Sequence, residues 1–199
     1  MDTIKIENYQ KGQEIEISQL IKRVYDEFVS HDYNEEGNLF FYEWIQPDKI
    51  AKRQTENRYI LVATSGSRII GVIEIRDDNR ISLLFVDKEF QRQGIAKRLF
   101  GESINVLTQK GLTIDKMYVH ASPFSIPIYK KLGFIEAGSL QENNGLKYLP
   151  MEISVKEQNT GLTGRNLSPV IFDCNPPFLV LIPELNPHLR NYSAWAIKK

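Results

Sequence analysis

Cysteine is nearly missing from this chain. Cys174 is the one thiol in 199 residues, which excludes an intrachain disulfide framework. With His31, His120 and His188 far apart, a Cys/His zinc cluster is excluded as well, and no metal is expected. Net charge is also missing: 25 basic side chains meet 25 acidic ones. No overall field draws the chain to nucleic acid, so an anionic ligand must be met by local geometry. Long apolar runs are lacking, since Leu83 to Val86 and Phe178 to Ile182 fall far short of the ~18 residues of a membrane span. Met1-Asp2-Thr3-Ile4-Lys5 carries no basic n-region followed by an apolar stretch. These absences predict a soluble, cytoplasmic protein in a reducing compartment, with neither nucleic acid nor membrane as partner. The chain has no Walker A loop, because the spacing Gly66 to Gly71 is followed by Val72 rather than lysine. It also has no G-x-G-x-x-G fingerprint, internal repeat or low-complexity stretch.

What is present suits one folded domain with an appendage, long enough to bury roughly 70% of its unfolded surface. Ile4 and Ile6 alternate with charged neighbours as in a short strand. Ile17, Leu20, Ile21, Val24, Tyr25 and Phe28 then recur at helical spacing between Glu14 and Phe28. After the polar His31 to Gly37, the aromatic group Phe40, Phe41, Tyr42 and Trp44 opens a second helix predicted to reach about Arg53. Three β-rich segments follow, Tyr59 to Ala63, Arg68 to Arg76 and Ile81 to Val86, joined by turns so short that the meander must be antiparallel. Ile95, Leu99, Ser103 and Val106 or Leu107 mark a helix ending at Lys110-Gly111, and Lys116 to Ala121 reads as a strand. A strand, a helix and a strand form a crossover, so the strands at Ile81 and Lys116 are expected to be parallel neighbours in a mixed sheet. A short helix from Pro123 to Leu132 and strands from Phe134 to Ser139 and Lys147 to Val155, around the turn Glu142-Asn143-Asn144-Gly145, complete the domain at about residue 156.

From 157 to 199 the composition shifts. Prolines and glycines punctuate the stretch around one apolar run, Phe178 to Ile182. An exposed strand of that character invites association, so this appendage is expected to pack on the domain or on a second copy in a homodimer.

The segment from Leu83 to Arg98 leaves a strand and enters a helix with glycine at the junction. A helix start offers unpaired N–H groups and a positive dipole end. Gln93, Gly94, Ile95 and Ala96 are therefore placed to donate main-chain hydrogen bonds to a diphosphate, with Arg92, Lys97 and Arg98 adding charge. On spacing alone, an ordinary helix start with solvated basic residues fits equally well.

Two motifs together decide between these readings. V-x-x-x-x-Q-R-Q-G-I-A at Val86 to Ala96 and A-S-P-F-S-I-P-I-Y-K-K-L-G-F at Ala121 to Phe134 closely resemble the GNAT superfamily of acetyl-CoA-dependent N-acetyltransferases, over roughly Ile4 to Val155. The resemblance implies an α+β fold with a mixed, mostly antiparallel sheet, a splayed parallel central strand pair, flanking helices and, here, a C-terminal appendage. It implies acetyl-CoA as co-substrate, with the loop Gln91 to Ala96 on its pyrophosphate and Leu84, Phe85 and Val86 on its pantetheine arm. An amide near Phe85 or Val86 would hold the oxyanion. Ser122 stands where the family often has a cofactor-touching asparagine, Ser125 where alanine is common, and Tyr129 on the tyrosine that protonates the departing thiolate. Ala96 replaces a glycine found in many members. Pro127, within the short helix, is expected to remove an N–H and bend its first turn.

The amine must also lose a proton. Glu74, read as sharing a strand face with Ile70 and Val72, and His120, alternating with Tyr118, are the candidate bases. Each is also an ordinary structural residue type. Cys174 has no histidine at a recognisable spacing and is read as a packed thiol rather than an acyl carrier. On the family pattern the acceptor, a small-molecule or peptide amine, lies between the first two helices and the far end of the sheet. Phe28, Tyr33, Phe40, Phe41, Tyr42 and Trp44 are wall candidates there, and Glu35, Glu36 or Glu43 would attract the amine. A reading of another class, an acetyl-CoA sensor or interaction module without turnover, shares all these features except catalysis.

Overall fold

A computed structural model of the chain describes residues 3–155. The appendage, with Cys174, His188 and the run Phe178 to Ile182, lies outside the described residues, as does the homodimer it was expected to form. In chain order the elements are β1 (Ile4–Asn8), α1 (Glu14–Phe28), α2 (Glu35–Trp44), α3 (Pro47–Arg53), β2 (Arg58–Ser65), β3 (Arg68–Arg76), β4 (Arg80–Val86), α4 (Ile95–Gln109), β5 (Lys116–Ala121), α5 (Ile126–Lys131), β6 (Ile135–Glu136), β7 (Gln141–Asn143) and β8 (Leu146–Ser154). The sheet order is β1-β2-β3-β4-β5-β8-β6, with β7 also on β8. Every pairing is antiparallel except β4 with β5. The parallel pair expected from the crossover is present.

Two apolar clusters flank the sheet. Leu84, Val86, Ile95, Leu99, Val119, Ala121 and Tyr129 belong to one, under α4 and α5. Ile17, Leu20, Tyr25, Phe41, Val72, Leu83 and Phe85 belong to the other, under α1 and α2. The stripe of α1 explains its docking: Ile17, Leu20, Ile21, Val24 and Tyr25 fall on one face at three- and four-residue spacing, and each is at most 2% exposed.

Several expectations need correction. The helix read as running to Arg53 is two helices, because Gln46 precedes Pro47 and takes an extended ψ of 144°. The proline ring crowds the preceding residue out of the helical region. Pro127 bends nothing, since α5 begins at Ile126 and the proline sits in a first turn whose N–H groups have no intrahelical partner anyway. The strand expected from Phe134 to Ser139 is reduced to Ile135–Glu136. The residues given to a turn at Glu142 and Asn143 form β7, leaving Asn144 (φ 48°) and Gly145 (φ 72°) as a two-residue hairpin loop.

Two irregularities in the sheet matter for the site. In β3, Thr64 pairs with Ile69 while Ala63 pairs with Gly71, so Ile70 is an extra residue. It turns to the α4 side, and Glu74 shares a face with Val72 but not with Ile70. In β4, Glu74 pairs with Leu83 while Ile75 pairs with Ile81, so Ser82 is extra. A bulge bends its strand, and β4 pairs with β5 only through Arg80↔Tyr118 and Ile81↔Val119, immediately before that bulge. Beyond it the two central strands diverge.

Candidate active site

The divergence leaves the β5-facing edge of β4 without a strand from Ser82 onward. The same strand then delivers the chain to the start of α4. Between them, Lys88 to Phe90 make one tight turn capped by Asp87, whose carboxylate accepts from the Glu89 N–H at 3.2 Å. Arg92 (φ 62°) and Gly94 (φ 74°) both lie in the left-handed region. For Arg92 that conformation costs on the order of 1–2 kcal/mol, which the surrounding contacts must offset. Gly94 caps α4 with no side-chain hydrogen bond. The first main-chain bond of the helix is Arg98 N–H to the Gly94 carbonyl at 3.0 Å. No hydrogen bond among the described residues uses the amides of Gly94, Ile95 or Ala96. A Cβ added at Gly94 would meet nothing within 4 Å, so there is open space beside the helix start. The Ile95 side chain points the other way, into the core, 3.2 Å from where a Gly71 Cβ would stand.

The remaining cradle residues divide. Gln91 donates through Nε2 to the Val86 carbonyl at 2.9 Å, bracing the loop rather than facing outward. Arg92 and Gln93 are exposed, while Ala96 and Lys97 are half-buried. Arg98, expected to add charge to the cradle, donates to the Ile4 carbonyl at 2.9 Å and ties α4 to β1. Leu84, Phe85 and Val86 are buried, with Leu84 and Val86 in the cluster under α4 and Phe85 in the other.

Across the opening, Ser122 and Ser125 are fully buried and bonded to each other. The Ser122 hydroxyl donates to Ser125 Oγ, and Ser125 Oγ donates to the Ser122 carbonyl, both at 3.0 Å. Ser122 Oγ also accepts from the Ser125 N–H at 3.2 Å, closing the turn that leads into α5. Tyr129, one turn on, is 0% exposed and packs edge-on against Phe134, with ring centroids 5.1 Å apart. Its hydroxyl is buried without a hydrogen-bond partner among the described residues. Burial pushes its pKa well above the usual phenol value. An unpartnered buried hydroxyl costs about 1–3 kcal/mol, an exception that calls for a cause.

The two candidate bases have different surroundings. Glu74 is 0% exposed and sits on the α1 face of the sheet, not in the cluster that holds Tyr129. Its two oxygens accept from Arg53 Nε (3.1 and 3.2 Å), Arg53 Nη2 (3.1 Å) and Arg58 Nη1 (3.1 Å). Arg53 also lies 3.5 Å over the Trp44 ring. The carboxylate is thus a structural clamp joining α3, β2 and β3, one not legible in sequence because its partners are 21 and 16 positions away. His120 lies beside the point of divergence, but burial, together with Arg80 and Arg76, lowers its pKa to about 4. Its ring stacks on Tyr148 at 4.2 Å.

Of the candidates for the acceptor wall, Tyr33 and Phe41 are buried and Phe28, Phe40, Tyr42 and Trp44 are half-buried. Phe41 stacks on Tyr25 at 3.8 Å, Phe28 on Phe124 at 5.9 Å, and Tyr42 donates to Asp26 at 2.7 Å. Tyr33 donates to the Lys147 carbonyl at 3.2 Å and is hydrogen-bonded to Ser122. Glu35 and Glu36 are exposed in the first turn of α2, and Glu43 pairs with Lys49 at 3.4 Å. Among the described residues no His/Cys/Asp/Glu group is arranged to hold a metal, and no helix is long and apolar enough to cross a membrane.

Comparison with known proteins bears on this geometry. The profile described as "Acetyltransferase (GNAT) domain" matches residues 29–155. The uncharacterized N-acetyltransferase YafP of Escherichia coli (strain K12) is 28% identical over 135 residues, 67% of this chain and 83% of that protein. Among solved structures, a GCN5-related N-acetyltransferase of Rhodopseudomonas palustris superposes with a TM-score of 0.66 at 18% identity, covering 78% of this chain and 98% of that one. The PaiA N-acetyltransferase of Thermoplasma acidophilum, solved with coenzyme A, gives a TM-score of 0.60 at 21% identity, covering 77% and 99%. With the strand divergence and the bare helix start already in place, these matches mean that the chain belongs to the GNAT acetyltransferase family and is an acyltransferase.

Proposed function

We propose that the protein transfers the acetyl group of acetyl-CoA to a primary amine, of a small molecule or a peptide, by direct attack within a ternary complex. The observation that carries this reading is the divergence of β4 from β5 after Ile81, which leaves a strand edge leading straight to the unpaired amides of Gly94, Ile95 and Ala96. The edge matches an extended pantetheine arm as an added strand matches a sheet, and the amides with the α4 dipole match a diphosphate. The coenzyme A complex of the PaiA relative supports the same fit.

Acetyl-CoA supplies the thioester, and the chain does the rest. A main-chain amide near Phe85 or Val86 stabilises charge on the carbonyl oxygen, an effect worth roughly 3–4 kcal/mol where such donors have been removed. Tyr129 holds a proton with no acceptor among the described residues, the state required of an acid waiting for a thiolate. Burial raises the thiol's proton affinity along with the phenol's, so enclosure does not by itself oppose the transfer. Glu74 is clamped and His120 binds protons weakly, so the amine enters in its neutral form.

Incubating the purified protein with acetyl-CoA and a panel of amines, and following free thiol with mass spectrometry of products, tests this. Release of CoA with acetylated amine, at a rate that follows the amine's own ionisation, is expected. Absence of coenzyme A binding by calorimetry overturns the reading.

A further inference from the structure

Asp87 stands between the strand edge and the cradle without touching either ligand position. Its side chain is 4% exposed. One oxygen, Oδ2, accepts from Arg23 of α1 at 2.7 Å and from Arg68 of β3 at 2.8 Å. The other caps the Glu89 N–H, and its own N–H donates to the Ile70 carbonyl at 2.8 Å. The loop is tied down further by Arg68 to Glu89 at 3.0 Å and by Lys88 to Glu27 of α1. Downstream, the loop that carries the left-handed pair Arg92 and Gly94 is held by less buried side chains, Gln91 on the Val86 carbonyl at 2.9 Å and Gln93 on the Glu89 carbonyl at 3.4 Å, and the orientation of that pair decides where the amides of Ile95 and Ala96 point.

We propose that Asp87 is the positioning residue of the diphosphate cradle: it locks the turn after β4 to α1 and β3, so that the start of α4 meets the coenzyme in one geometry. This rests on the acetyl-CoA reading above. The physical reason is that, among the described residues of the loop from Asp87 to Gly94, Asp87 is the buried one and the rest are exposed or half-buried. A carboxylate shared by two guanidinium groups fixes that point in all directions, whereas a neutral side chain leaves two like charges facing each other. Small displacements of a ligand-holding loop are costly, since an error of about 1 Å can lose a factor of about a hundred.

The test compares wild type with Asp87→Asn, which keeps the size and the turn cap but removes the charge, using coenzyme A titration and steady-state kinetics. Coenzyme A affinity and the KM for acetyl-CoA are expected to weaken about tenfold, while kcat at saturating acetyl-CoA and the KM for the amine stay within about twofold. Arg23→Gln, at a half-exposed position that tolerates substitution, is expected to weaken coenzyme A by about threefold and to add little in combination with Asp87→Asn. If wild type binds coenzyme A and both variants bind it equally well, with only a lowered Tm, Asp87 is structural and the proposal is overturned. If Asp87→Asn does not fold, Arg23→Gln decides: unchanged coenzyme A affinity overturns the proposal. Wild type that binds no coenzyme A overturns the functional reading itself.

Discussion

Arg80 Nη1 lies 3.0 Å from His120 Nε2, bridging the two central strands beside the last residues at which they pair. Arginine can only donate, so Nε2 accepts and the imidazole proton is on Nδ1. The contact fixes a neutral histidine at the point where the sheet opens.

Burial first, then Arg80 and Arg76, hold the His120 pKa at about 4, against 6.5 in the unfolded chain. As pH falls from 6.5 the unfolded state takes up the proton first, so this residue's contribution to stability is complete above 6.5 and is lost as pH falls toward 4. NMR of the His120 ring is expected to show no titration above about pH 5. His120→Gln should flatten the stability profile between those values. A ring that titrates near 6.5 contradicts the geometry.

Tyr129→Phe removes a buried hydroxyl that has no partner among the described residues. The variant is expected to be at least as stable as wild type, with a gain of up to about 1 kcal/mol, or roughly 2–4 °C in Tm. Acetyl transfer is expected to slow by about a hundredfold or more, with coenzyme A binding retained. A structural tyrosine would lose stability and leave turnover unchanged.

Glu74→Gln leaves the buried Arg53 and the half-buried Arg58 around a neutral amide. The expected loss is about 3–5 kcal/mol by urea denaturation. Glu43→Gln breaks the exposed pair with Lys49, whose side chains are 69% and 45% exposed, and should cost under about 1 kcal/mol. Near-equal losses would show that the buried clamp carries no special weight.

Gly94→Ala and Gly12→Ala both place a Cβ on a residue with positive φ, 74° and 105°, and neither Cβ would meet a neighbour within 4 Å. Comparable losses of about 1–2 kcal/mol are expected from backbone strain. Only Gly94→Ala should weaken coenzyme A in a binding titration, because its methyl projects into the cradle. Equal affinities in the two variants would place the diphosphate elsewhere.

Local rules made much of the molecule legible. The stripe of α1, the alternation and short turns of the meander, the crossover that forces β4 and β5 parallel, and the glycine opening α4 all follow from residues near one another in sequence. Asp87 was also within reach, as an aspartate capping a tight turn after a strand, yet nothing local names Arg23 and Arg68 as its partners.

The sequence by itself determined most of the elements and their order, because those depend on propensity, period and spacing, but not the break before Pro47 or the strand β7. Tertiary structure alone decided that Ser82 bulges and opens the sheet, that Glu74 is locked between two arginines, that His120 is neutral, and that the Tyr129 hydroxyl has no acceptor among the described residues. Each of those outcomes is a matter of which distant groups share a buried space, and the free energy of a buried charge or hydroxyl is set by its neighbours rather than by its own identity.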